Sequence, residues 1–105
     1  MYTFQKQPNE VLDYDVDMTP WFAGIPGDDI QSVTITVTGI GEDDPTLVLG
    51  PGIHPEYLLL GAEPVRFKVW LGGGTEFVDY VVTCVVITEQ DRQKEVEFKV
   101  KVRNL

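Results

Sequence analysis

The sequence predicts an all-β domain, a two-sheet sandwich of about seven strands, and three observations predict it. Short runs along most of the chain alternate apolar and polar residues with period two, the spacing of strands buried on one face. Ten Gly and seven Pro punctuate those runs at the intervals of short strands and turns. No stretch holds the 3.6-residue period of an amphipathic helix. With 105 residues, the chain has the length of one domain with one core.

The elements follow in order. Residues 1–10 are polar apart from Tyr2 and Phe4 and are set apart as an N-terminal arm, leaving 11–105 as the sandwich. An arm with so few core residues is ordered only by docking, on its own sheet edge or on a neighbour. Leu12, Tyr14, Val16 and Met18 alternate with Asp13, Asp15 and Asp17, and Pro20 ends that strand because proline cannot donate to the ladder. Trp21, Phe22 and Ile25 form an apolar patch suited to plug one end of the sandwich, and Gly27-Asp28-Asp29 is a turn. Val33, Ile35 and Val37 alternate with Ser32, Thr34, Thr36 and Thr38. An acidic loop covers 39–45 and a short strand 46–49. Residues 50–64, broken by Pro51, Pro55, Gly61 and Pro64, read as a long connection holding one short strand or turn at 57–60. Val65, Phe67, Val69 and Leu71 alternate with Arg66, Lys68 and Trp70, and Gly72-Gly73-Gly74 reads as a sharp break. Residues 77–88 are apolar on both faces, which marks a central strand or one covered by a partner. Val96, Phe98, Val100 and Val102 alternate with Glu95, Glu97, Lys99 and Lys101, a last strand joined by a hairpin.

Seven such strands form the pattern of an immunoglobulin-like sandwich. Tyr80, two residues before Val82, has the spacing of a tyrosine corner, with Val82 where antibody domains carry a disulfide cysteine. Cys84 is the only cysteine, so no intrachain disulfide forms and packing alone must hold the fold. That suits production in a reducing cytoplasm. No apolar run approaches the ~20 residues that span a bilayer, and Met1–Glu10 lacks the apolar region of a signal peptide. A net charge of −9 argues against nucleic acid and against anionic membrane surfaces, both of which are bound through cations.

The residues that could carry chemistry are few. Alternate residues on one strand face lie roughly 6.8 Å apart, so Asp13, Asp15 and Asp17 cannot share one calcium ion on a straight strand. The loop Glu42-Asp43-Asp44, with Asp28 and Asp29, lacks EF-hand spacing. His54, Ser32 and Cys84 are each the only residue of their type, with no partner evident in sequence. The glycine triplet carries no Lys-Ser/Thr and is no phosphate loop. No enzyme activity, metal or cofactor is expected. Two features point to a protein partner. Trp70 lies on the polar face beside Arg66 and Lys68, and Trp is enriched in binding hot spots. Val81, Val85 and Ile87 form a second apolar face on one strand, open to a partner unless the arm or residues 50–64 cover it. With Tyr2 and Phe4 of the arm, these are the candidate contact residues.

Three blocks carry a family resemblance: Val11–Asp17 followed by Pro20-Trp21, Phe67–Thr75, and Tyr80–Thr83 with Glu95–Val102. In this order they resemble small immunoglobulin-like proteins encoded among the virion genes of tailed bacteriophages. The resemblance implies a structural role in the particle, synthesis in the host bacterial cytoplasm, and no catalytic residues. The resulting expectation is a head decoration or cement protein on the outer capsid, partnered by the major capsid protein or other virion proteins and by copies of itself. The alternatives are a neck, tail or baseplate component, or a carbohydrate- or receptor-binding module using Trp21 and Tyr57.

Overall fold

The structure, a computed structural model, describes residues 2–104. Among these residues the chain forms β1 (Tyr2–Lys6), β2 (Leu12–Asp17), a single helical turn α1 (Thr19–Phe22), β3 (Ile30–Gly39), β4 (Leu47–Leu49), β5 (Tyr57–Leu59), β6 (Arg66–Gly73), β7 (Asp79–Thr88) and β8 (Gln93–Val102). One sheet has the order β1-β8-β7-β3. The other has the order β2-β6-β4, with β5 also beside β6. β4 and β5 both pair along the same strand, β4 at Leu71–Gly73 and β5 at Phe67–Val69. They are two pieces of one interrupted edge strand, so eight segments make seven strand positions. The result is the expected immunoglobulin-like two-sheet sandwich.

The alternations place the core as period two dictates. Tyr14 from β2 and Met18 just after it, Phe67, Val69 and Leu71 from β6, Tyr80, Val82, Cys84 and Val86 from β7, and Phe98, Val100 and Val102 from β8 are buried between the sheets. Each fully buried large apolar side chain stabilises by roughly 1.5–3 kcal/mol relative to exposure. The tyrosine corner is present. The Tyr80 hydroxyl accepts from the Thr75 backbone N–H at 2.8 Å, five residues upstream, and donates to Glu42 Oε2 at 2.6 Å. Phe22 is buried, and Trp21 packs edge-on against it with ring centroids 4.8 Å apart, closing one end as expected.

Several expectations change. The arm is an ordered edge strand: β1 pairs in parallel with β8, Tyr2 opposite Phe98 through Lys6 opposite Val102. Its docking site is its own sheet edge. Register turns Lys6 inward, where its ammonium donates to Gln7 O at 2.8 Å and Gly73 O at 2.5 Å, tying β1 to the opposite sheet. Burial, opposed by Glu10, lowers the Lys6 pKa. Pro20 stands in a helical turn rather than simply ending a strand, which its fixed φ permits in a first turn. The glycine triplet is not a break at Gly72, because β6 runs on to Gly73 against Leu47 and Val48. The glycines serve close approach instead. A Cβ on Gly72 would lie 2.9 Å from the Pro51 ring, and Gly73 has φ +69 with Thr46 O only 2.8 Å from where its Cβ would stand.

Candidate functional site

The candidate contact residues fall on three separate surfaces. Val81, Val85 and Ile87 alternate with the buried side of β7 and point away from the core. Their cross-strand neighbours are Thr38, Thr34 and Ser32 on β3 and Lys99, Glu95 and Gln93 on β8. Neither of the two segments expected to cover this face does so. The arm pairs at the β8 edge, and residues 50–64 lie along β6 in the other sheet. Among the described residues the outer face of the first sheet is thus an open surface, with a central apolar row flanked by hydroxyls on one side and, on the other, by Glu95 and Glu97 followed by Lys99 and Lys101.

Trp70 lies on the outer face of the second sheet, as alternation required, but it is not a bare ring. The segment between β4 and β5 folds back over it. Pro51 seats against Gly72, and the His54 ring stacks on the indole with centroids 3.8 Å apart and planes 10° from parallel. His54, without an evident partner in sequence, therefore has an aromatic one. At the loop tip Ile53 is 96% exposed, and Val48 and Leu58 stand half-exposed opposite Gly72 and Lys68. Sequence reasoning missed these three apolar residues. The signal for Leu58 was present, since Tyr57 and Leu59 face the core and Leu58 must face out. Beside this patch Lys68 bonds to Asp13 and reaches Asp15 at 3.3 Å. The Lys68 bond holds the Asp13 carboxyl below its ordinary pKa.

Tyr2 and Phe4 separate into different roles. Phe4 packs between Tyr14 and Phe98, with centroids 5.0 and 5.7 Å away, and links the two sheets. Tyr2 stacks on Phe4 at 6.4 Å and is 79% exposed.

Of the loop carboxylates weighed for calcium, Asp28 and Glu42 are bound up in the fold. The Asp28 carboxylate accepts from Arg92 Nη1 at 2.9 Å and from the backbone N–H groups of Gln90 and Asp29 at 3.0 Å each, pinning the 27–29 turn to the β7–β8 hairpin. Its burial opposes charge. The bonds from Thr88, Gln90, Arg92 and Asp29 together outweigh that burial and hold its pKa low. Glu42 accepts from Tyr80 and from Thr75 Oγ1 at 2.8 Å, and the Tyr80 bond foremost lowers its pKa. Cys84 sits in the core with its thiol pushed up to about 12 by burial, whereas His54 lies on an outer face. Trp21 packs on the core, and Tyr57 pairs opposite Val69 on the inward side. Neither has the loop-exposed position a sugar-binding aromatic needs.

A protein-family model described as podophage GP4 fiber-tail adaptor protein gp77 matches residues 6–101, a span that runs from the end of β1 almost to the end of β8. The chain belongs to this fiber-tail adaptor family. It is therefore a structural protein of a phage virion, as the resemblance implied. The family lends no support to head decoration or to the major capsid protein as the specific partner, and it favours the alternative of a neck, tail or baseplate component. No curated protein matches the chain.

Proposed function

We propose that this chain is a tail-fibre adaptor, a small rigid connector between fibre and tail that works by adhesion and not by catalysis. The family match over residues 6–101 carries the reading. The geometry suits it. An adaptor needs two partner surfaces, and the sandwich offers two on opposite sides. One is the Val81–Val85–Ile87 row of the first sheet. The other is the Trp70–His54 patch with Ile53 and Leu58 on the second. Each is small, so attachment gains from repetition around a ring of copies, where linked contacts reinforce one another.

Quantitative mass spectrometry of purified particles, combined with cross-linking, tests the proposal. A ring-sized handful of copies cross-linked to fibre and tail proteins supports it. A copy number near that of the major capsid protein would refute it and restore head decoration. Trp70→Ala removes the centre of the second patch from an outer face and leaves the core intact. The variant is expected to fold normally and to lose occupancy on particles; unchanged occupancy would remove Trp70 from the contact surface.

A further inference from the structure

The two sheets leave a groove between their open edges. β8 runs from Gln93 to Val102, but β1 pairs only with Phe98–Val102. Among the described residues, Gln93–Glu97 have no strand on that side. β2 is likewise the outermost strand of its sheet. A cavity of about 450 Å³ lies where these edges meet. Tyr2, Phe4, Val16, Met18, Val96 and Phe98 supply its apolar lining, and Asp15, Asp17, Glu95, Glu97 and Lys94 complete its walls.

An open edge presents alternate backbone N–H and C=O groups to any strand that can lie beside it. Here that edge borders an apolar groove, so an added strand would gain main-chain hydrogen bonds and bury every second side chain, the two elements of recognition by strand addition. The wall charges set the other side chains. Glu95 and Glu97 stand exposed along the open run of β8 beside the single ammonium of Lys94, whereas on the facing wall Asp15 is met by Lys68 at 3.3 Å and Asp17 accepts from Thr19. A second copy of this chain would bring a net charge of −9 and the same acidic edge, and like charges placed across a strand pair are unfavourable.

We infer that the β2–β8 groove accepts an extended segment of another protein, with alternating apolar and basic side chains, which pairs with β8 ahead of β1. The unpaired part of β8 accommodates a run of about five residues, roughly 17 Å long. The inference rests on the adaptor reading only for the source of that segment, a fibre or tail protein.

The test is a nuclear magnetic resonance titration of the labelled chain with a synthetic heptapeptide alternating lysine and valine. The amides of Lys94–Glu97 and Asp15–Asp17 are expected to shift and to gain protection from exchange. The same peptide with glutamate for lysine is expected to bind about tenfold more weakly or worse. Glu95 and Glu97 are exposed on the strand, so the double variant Glu95→Lys, Glu97→Lys keeps the fold and is expected to reverse the preference. No shift, shifts confined to other surfaces, or equal binding of both peptides would overturn the inference. Failure here, with the chain still cross-linked at the fibre–tail junction, sinks the groove alone. Absence from the junction with peptide binding intact sinks the adaptor reading and leaves the groove.

Discussion

Replacing Tyr80 by Phe keeps the ring in the core and removes one oxygen, and the structure sets the consequence. That oxygen accepts from the Thr75 N–H at 2.8 Å, lies 2.9 Å from Thr46 Oγ1 and donates to Glu42 at 2.6 Å. It joins the turn before β7 to the loop between β3 and β4, two segments far apart in sequence. A net hydrogen bond contributes about 1 kcal/mol, and a partly buried donor left unpaired adds to the cost, so losing the Thr75 and Thr46 bonds destabilises by about 2–3 kcal/mol. For a domain of this size that lowers Tm by about 10–20 °C. The Glu42 bond adds a pH signature. Tyr80 foremost holds the Glu42 pKa below its ordinary value of about 4.3. A depressed carboxyl contributes stability that is fully present above the unfolded pKa and is lost as pH falls through the folded one. Urea unfolding of both proteins at pH 7 and at about pH 3 checks this. The gap between them is expected to narrow in acid. A gap under about 1 kcal/mol at pH 7, or a gap indifferent to pH, would refute the account of the corner.

Three further predictions concern single positions. The Tyr14 hydroxyl is buried without a hydrogen-bond partner among the described residues, and burial, with Glu10 and Asp13, pushes its pKa up to about 12. Tyr14→Phe is therefore expected to leave stability unchanged or to raise it by up to about 1 kcal/mol in denaturant titration, and a clear loss would reveal a missed partner. Gly73→Ala forces a side chain into φ +69 against Thr46 O and is expected to cost about 2–3 kcal/mol by thermal melt, whereas Gly41→Ala, with φ +80 but no atom within 4 Å, should cost less. Cys84 should react with a thiol reagent only as fast as the domain opens, because burial suppresses its thiolate; labelling at the rate of an exposed thiol would contradict its place in the core.

Much of the fold was legible because strands declare themselves locally. Leu12–Met18, Val33–Val37 and Val96–Val102 each state which side faces the core through period two alone, and the structure packs the stated sides on the core, fully or partly buried. Residues 50–64 were not legible. Their path depends on Gly72 making room for Pro51 and on Trp70 offering a face to His54, partners about 16–21 positions away along the chain. The arm posed the same difficulty, since nothing within residues 1–10 indicates that β8 is the strand it joins.

The candidate contact surfaces divide along the same line. The amino-acid sequence by itself determined that the chain is an all-β sandwich, that Trp70 and the Val81–Val85–Ile87 row point away from its core, and that its net charge is −9. Side-chain direction along a strand is a property of neighbours two residues apart, so the alternation carries it without help. Which outer face stays open, which aromatic is capped, and where two unpaired edges enclose a groove were decided only in the tertiary structure. These follow from which strands lie side by side, and pairing over 49–96 residues of separation, as between β2 and β6 or β1 and β8, is settled by the competition of whole faces for burial.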